Sequence, residues 1–301
     1  MYNKILVPLD GSQLAEVVLW YAGRLTGRLR ASLTLAYVAS PDELTSKHMY
    51  ECYLQDTIAR VKELAEKAAG ETAKPGEITI DYKILKGDPA EEIVDYADKK
   101  KYDLIILATQ GKSGIRRWAL GNVASKVVSV TRKQVMLIRA RGAQPDVSKV
   151  KLTKVLVPVD GSRESESILK FVSYLASELS LSLTLFHMYT RETNLYPSVE
   201  SFKAADKKLK QREAYLEKLG SRCLAQGLRI DTVFKEVSTG EEAAEIIKLA
   251  EEGDFSMVAM ATHGRSGIGR WIFGSNAQKV LYEVSTPLLL VRPIKGRTKT
   301  A

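Results

Sequence analysis

An internal duplication constrains the fold of this chain more than any other feature of its sequence. The nine residues KILVPLDGS that begin at Lys4 return as KVLVPVDGS at Lys154, an offset of 150 residues. A glycine-rich segment that begins ATQGKSG at Ala108 returns as ATHGRSG at Ala261, now 153 residues later. The second copy therefore contains a net insertion of three residues between the two motifs. Because this period is far longer than that of a solenoid repeat, we expect each copy to fold as a domain.

The duplication predicts two domains of ordinary size joined by a short linker. We expect a first domain over residues 1–140, a linker over 141–152, a second domain over 153–293 and a tail over 294–301. The longest apolar runs are Leu104–Ala108 and Leu288–Val291, which are far too short to cross a membrane. The sequence begins directly with a strand-like segment, which leaves no room for a signal peptide, and we therefore expect a cytoplasmic protein.

Within each copy, short apolar runs alternate with segments of helical periodicity. In the first copy the apolar or alternating runs predict strands at 5–9, 33–38, 78–85, 104–108 and 135–138. Ser12 is placed to cap the helix after the first strand, and Pro89 is placed to open the helix after the third. Five strands joined by helical crossovers predict a doubly wound parallel sheet. Such sheets bind ligands at the carboxyl ends of their strands, so the loops after the first and fourth strands are the candidate site.

The loop after the fourth strand has the features of an anion-binding cradle. In each copy a glycine is followed by nine residues and then by a second glycine, at which a predicted helix begins. Free backbone N–H groups and the positive end of a helix attract phosphate, and a neighbouring cation strengthens the attraction. The residues concerned are Gly111, Lys112, Gly121 and Asn122 in the first copy and Gly264, Arg265, Gly274 and Ser275 in the second.

This loop, together with the VPLDGS and VPVDGS segments after the first strands, resembles the universal stress protein family. The nucleotide signature of that family is a glycine, two residues, a glycine, nine residues, a glycine and Ser or Thr. The resemblance covers nearly the whole chain, with one family domain in each copy. It implies an α/β fold of the adenine-nucleotide α-hydrolase-like type: two tandem doubly wound five-stranded parallel-sheet domains of strand order 3-2-1-4-5.

The resemblance also assigns roles to individual residues and implies ATP, with or without Mg²⁺, as the ligand. It places Asp10 and Asp160 at the nucleoside and places Val38 and Met188 beside the adenine through their backbone. The glycines of the loop, with Asn122 and Ser275, would hold the ribose and phosphates. The sequence departs from the family pattern in two ways, and the second of these favours the site in the second copy. Ala108 and Ala261 replace the first glycine in both copies, whereas Asn122 replaces the hydroxyl residue only in the first.

Simpler structural roles stand beside these assignments. Asp10 and Asp160 could serve only to accept N–H bonds within the turn that follows the first strand. The matched Trp118 and Trp271 are better suited to anchoring the glycine loop than to stacking on adenine. Cys52 and Cys223 do not sit at matching positions, so we expect free thiols and neither a disulfide framework nor a metal site.

The sequence therefore predicts an ATP-binding stress-response protein that acts as a nucleotide sensor or regulator and not as a dedicated enzyme. Phosphate-loop, dinucleotide and nucleophile-elbow motifs are missing from it. The alternatives are a nucleotide-free dimeric scaffold, suggested by Ala108 and Ala261, and a slow ATP hydrolase. The net charge of +9 keeps a nucleic-acid partner as a weaker third alternative. By the family resemblance, the final strands of the two copies would pack together as an intramolecular pseudo-dimer, with room for a further homodimer.

Overall fold

The computed structural model describes residues 2–40, 47–70, 78–110, 120–139, 152–190, 198–262 and 273–292. These residues form two compact units, one built largely from the first half of the chain and one largely from the second. The predicted tandem arrangement of two α/β units is confirmed. The linker and the tail of the sequence prediction fall mostly outside the described residues, so the boundaries proposed for them stay predictions.

The first half alternates strands and helices as the sequence predicts. A single 3₁₀ turn over Ala15–Val17 precedes the first long helix. The other elements are β1 (Lys4–Leu9), α1 (Val18–Leu29), β2 (Ser32–Ala39), α2 (Lys47–Ala69), β3 (Ile80–Lys86), α3 (Pro89–Lys99), β4 (Leu104–Ala108), α4 (Asn122–Val130) and β5 (Gln134–Ile138).

The second half repeats this order, with a one-turn α-helix in place of the 3₁₀ turn. Its elements are β6 (Lys154–Val159), α5 (Arg163–Glu166), α6 (Leu169–Leu179), β7 (Ser182–Thr190), α7 (Val199–Leu224), β8 (Arg229–Val237), α8 (Glu242–Glu252), β9 (Met257–Ala261), α9 (Ser275–Glu283) and β10 (Leu288–Val291). No helix among the described residues is both long enough and apolar enough to cross a membrane.

Both halves have the strand order 3-2-1-4-5 that the sequence predicts. In the first half the order is β3-β2-β1-β4-β5, and in the second half β8-β7-β6-β9-β10. The central strand β1 pairs in parallel with β2 and β4, and β6 pairs in parallel with β7 and β9. Because the strand order reverses beside β1 and beside β6, each half has a crevice at the carboxyl end of its central strand.

The central strands are buried because helices cover both faces of a doubly wound sheet. In β4 the four side chains of residues 104–107 are all buried, which is why an uninterrupted apolar run marks this strand in the sequence. Pro89 is the first residue of α3, as predicted. Asp88 caps this helix by accepting hydrogen bonds from the amides of Ala90 at 3.0 Å and Glu91 at 3.1 Å.

The prediction that Ser12 caps the long helix is wrong, because its side chain stabilises the turn that leads into the 3₁₀ turn. Its Oγ accepts a hydrogen bond from the Ala15 amide at 3.1 Å, whereas α1 begins only at Val18. In the second half Ser162 accepts from the Ser165 amide at 3.0 Å and caps the one-turn helix α5. The extra turn lets the chain change direction between the end of the central strand and the helix that covers it.

Candidate functional site

Each half contains one cavity at the carboxyl end of its sheet, where the strand order reverses. The first cavity has a volume of about 310 Å³ and the second a volume of about 290 Å³. Both are lined by the ends of the first, second and fourth strands, by the helix after the third strand, and by the start of the helix after the fourth. These are the elements at which parallel sheets of this topology bind ligands.

The cavities bring together the predicted site residues that the structure describes. The first cavity is lined by Asp10, Val38, Gly121 and Asn122, among others. The second cavity is lined by their counterparts Asp160, Met188, Gly274 and Ser275. The remaining predicted site residues, which are Gly111, Lys112, Gly264 and Arg265, lie outside the described residues. The two tryptophans of the loop also lie outside them.

The aspartate of each cavity is held in place by its own turn. Asp10 Oδ1 accepts hydrogen bonds from the Ser12 amide at 3.0 Å and from the Ser12 hydroxyl at 2.6 Å. Asp160 Oδ1 accepts one from the Ser162 amide at 2.9 Å. Gly161, which lies between Asp160 and Ser162, has a φ of +84°, a conformation that other residues adopt only with strain. The turn role that the sequence left open is therefore real, and it fixes the carboxylate in the cavity wall.

The helices α4 and α9 begin at the cavities and present their amino-terminal amides there. Gly121 N–H donates to the Thr109 carbonyl at 2.7 Å, and Gly274 N–H donates to the Thr262 carbonyl at 3.1 Å. These bonds attach the start of each helix to the end of the fourth strand. A Cβ at position 121 would lie 3.1 Å from the Thr109 oxygen, so a larger residue there would have to push that oxygen back by a few tenths of an ångström.

Neither glycine supplies a side-chain cap to its helix. The first intrahelical bonds run from Ser125 N to Gly121 O and from Gln278 N to Gly274 O. Within the described part of the chain, no group accepts a hydrogen bond from the amides of residues 122–124 or 275–277. These amides carry the partial positive charge of a helix N-terminus, so each cavity offers an anion three N–H donors at one wall.

A charged cluster that the sequence analysis missed connects each cavity turn to a long helix. In the second half Glu166, on the turn after Ser162, accepts hydrogen bonds from Tyr215 Oη at 3.0 Å and Arg222 Nη2 at 2.7 Å, both on α7. Burial, reinforced by the charge of Glu166, raises the pKa of Tyr215 well above its ordinary value. The first half has Glu16, Tyr53 and Arg60 at the matching positions, and Arg60 Nη1 lies 3.0 Å from Glu16 Oε2.

A signal for this cluster is present in the sequence. YLQDTIAR from Tyr53 returns as YLEKLGSR from Tyr215, at an offset of 162 residues. This offset differs from both 150 and 153, because the second copy gains twelve residues before the cluster and loses nine after it. Only the net difference of three residues is visible from the longer motifs.

Among the described residues, neither a cysteine thiol nor a cluster of metal ligands contributes to the site. Cys52 is exposed and Cys223 is buried, and both are free thiols. Burial raises the pKa of the Cys223 thiol, which makes it a poor nucleophile. No group of three or more His, Cys, Asp or Glu side chains in the described ranges could hold a metal ion.

The fold and the paired cavities define a class of tandem α/β proteins, and comparison with known proteins identifies the family. The sequence model described as "Universal stress protein family" matches residues 1–139 and residues 151–292. The chain therefore belongs to the universal stress protein family and contains two family domains in tandem.

Individual relatives agree with this assignment. The chain is 31% identical over 150 residues to universal stress protein MJ0531 of Methanocaldococcus jannaschii, a match that covers 46% of this chain and 83% of that protein. It is 20% identical over 297 residues to a universal stress protein of Mycolicibacterium smegmatis, which covers 96% of this chain and 97% of the other. The crystal structure of a universal stress protein from Archaeoglobus fulgidus has a similar fold, with a TM-score of 0.67, 18% sequence identity and 98% of each chain covered.

Proposed function

We propose that each half of this universal stress protein binds ATP in its cavity and that the protein acts in the stress response as a nucleotide-dependent regulator, not as a dedicated enzyme. One observation carries the proposal. In both halves a turn-fixed aspartate, the end of the second strand and an uncapped helix N-terminus line the same cavity. The assignment of Asp10, Asp160, Val38, Met188 and the loop residues to ATP is part of this proposal.

The shape and chemistry of the cavities suit a nucleotide. Volumes of about 300 Å³ lie at the lower end of the range for small-molecule pockets. The helix N-terminus forms the phosphate-binding wall. Apolar side chains such as Ile93 and Leu107 in the first cavity, and Ile246 and Met260 in the second, provide the surface for a base.

The alanines that replace the first glycine of the family pattern do not close the cavities. Ala108 and Ala261 both line them, and the volumes of about 310 and 290 Å³ are those that remain with the methyl groups in place. This argues against the nucleotide-free scaffold, for which these two residues were the main support.

A regulatory role is supported by the cluster behind each cavity. Glu166 lies six residues after Asp160 and accepts hydrogen bonds from Tyr215 and Arg222 of α7. A ligand that contacts the aspartate turn therefore acts on residues that contact the long outer helix. The position of that helix is the quantity that nucleotide binding would change.

Calorimetric titration of the intact protein with ATP, with and without Mg²⁺, tests the proposal. We expect two binding sites per chain, and one site after either Gly121→Val or Gly274→Val, because each valine fills the amide wall of one cavity. Each variant controls for the other, since the unaltered half must keep its site. No binding heat and no thermal shift with ATP would favour the scaffold. Steady phosphate release that Ser275→Ala abolishes would instead indicate an ATP hydrolase.

A further inference from the structure

The two cavities differ in charge at one matched position of their walls. Pro89 opens α3 and lines the first cavity, whereas Glu242 opens α8 and lines the second, 153 residues later. Among the described lining residues, Asp10 is the charged side chain of the first cavity, and Asp160 is its counterpart in the second. Among the lining residues that the structure describes, the second cavity therefore has one carboxylate more than the first.

The Glu242 carboxylate is held in a fixed position. Thr190 Oγ1 donates a hydrogen bond to its Oε1 at 3.1 Å, and the Gly240 amide donates one to its Oε2 at 3.1 Å. Gly240 has a φ of +89°, which lets the loop turn its amide toward the carboxylate. An ionised carboxylate has about four lone-pair sites. Each oxygen of Glu242 can therefore still accept a hydrogen bond from a ligand.

Glu242 lies on the apolar side of the cavity. Thr190 is two residues beyond Met188 on β7, so the two side chains share one face of the strand. Ile246 lies one turn along α8 from Glu242, on the same face of that helix. The anion-binding amides belong to a different element, the start of α9. A nucleotide with its phosphates at α9 therefore has its base among Met188, Ile246 and Glu242.

We propose that Glu242 is a specificity-determining residue of the second cavity, which selects a purine that presents an exocyclic amine and rejects one that presents a carbonyl oxygen at the same place. This inference rests on the proposed nucleotide binding and adds the base preference of one site. An amine donates to the free lone pair of Glu242. A carbonyl oxygen opposite a carboxylate gains no hydrogen bond and is repelled. Pro89 has no side-chain acceptor, so the matched position of the first cavity cannot make this selection.

The test compares ATP with inosine triphosphate, which differs from ATP in carrying a carbonyl in place of the amine. In the Gly121→Val protein, where the second cavity is the remaining site, we expect ATP to bind at least about tenfold more tightly than inosine triphosphate. Adding Glu242→Gln should bring the ratio of the two dissociation constants close to one, because an amide can donate to the carbonyl as well as accept from the amine.

The matched control is the Gly274→Val protein, in which the first cavity remains. There Glu242→Gln should leave the ratio unchanged, and the ratio itself should be smaller than in the second cavity. Glu242→Pro, which copies the first cavity, is the second variant; circular dichroism and thermal unfolding verify that both variants fold.

Three results would overturn the inference. Equal affinity of the second cavity for the two nucleotides, or a ratio that Glu242→Gln does not alter, would show that Glu242 does not read the base. Equal tightening of both nucleotides by Glu242→Gln would show that the carboxylate only repels phosphate. In each of these cases the proposed nucleotide binding stands. If neither nucleotide binds, the proposed function fails and this inference fails with it.

Discussion

At the scale of single residues, the aspartate of each cavity combines a structural task with a place in the cavity wall. Asp160 Oδ1 accepts the hydrogen bond of the Ser162 amide, as an Asx-type turn requires. The same side chain lines the cavity. The two interpretations that the sequence allowed for this residue are therefore not exclusive, since one carboxylate oxygen fixes the turn while the side chain as a whole faces the cavity.

This dual role predicts a difference between two substitutions of Asp160. Asp160→Ala removes the acceptor for Ser162 N–H and should lower the free energy of unfolding by about 1 kcal/mol. Asp160→Asn keeps an oxygen at that place and should lower it by less. Urea unfolding of the two variants measures the difference. Equal destabilisation by both would mean that the negative charge, and not the acceptor, stabilises the turn.

At the scale of elements, the pairing of α1 with α2 depends on two glycines one turn apart. A Cβ on Gly23 would lie 2.8 Å from Leu64 Cβ, and a Cβ on Gly27 would lie 2.0 Å from the Ala65 carbonyl oxygen. The two helices therefore approach each other closely enough that a methyl group does not fit. In the second half the matching positions are Ser173 and Ser177, which already carry a Cβ.

We predict that Gly27→Ala destabilises the protein and that Ser177→Ala does not. The alanine methyl forces the backbone of α2 to move, an overpacking effect that costs about 1–3 kcal/mol. Ser177 is exposed, and surface substitutions stay within about 0.5 kcal/mol. Thermal or urea unfolding of the two variants gives the comparison. A Gly27→Ala protein as stable as the wild type would show that the two helices are not held at this separation.

Elements with a strong local cause were predictable from the sequence. The bounds of β4 match the predicted 104–108 because every residue of that run is apolar, and α3 begins at Pro89 because proline suits a first helical turn. The β3 strand begins at Ile80 and not at residue 78 because its alternating pattern has no sharp start. Strand ends marked by a gradual change in pattern were therefore displaced by one or two residues.

The site was predictable where a motif marks it and not where two halves must be compared. The motif residues Asp10, Asp160, Gly121 and Gly274 all line the cavities. Glu242 was missed because it sits in a helix start with no motif of its own, and it becomes notable only beside Pro89. The Glu166 cluster was missed because its partners on α7 come from a helix whose offset differs from those of the motifs on either side.

At the scale of the whole molecule, the duplication gives two similar cavities in two halves that differ in individual side chains. Burial opposes the ionisation of five tyrosines, and these are also divided unequally: Tyr21, Tyr53 and Tyr102 are in the first half, and Tyr174 and Tyr215 are in the second. Burial raises the pKa of Tyr21 to about 12, and it also raises the pKa of each of the other four. The packing of the final strands against each other stays a prediction.

These tyrosines predict that stability falls in alkali. Above the ordinary tyrosine pKa of 10.0 the unfolded chain loses protons that the folded chain keeps, so the folded state binds more protons and stability decreases as pH rises. Below that pH both states are protonated, and the tyrosines add no pH dependence. The free energy of unfolding, measured from about pH 9 to about pH 11, should therefore decline, with tyrosinate absorbance rising as the chain unfolds. Tyr21→Phe removes one ionisable group and should make the decline shallower. An unchanged slope in that variant would show that burial of Tyr21 does not oppose its ionisation, and a flat profile in the wild type would extend this conclusion to the other four tyrosines.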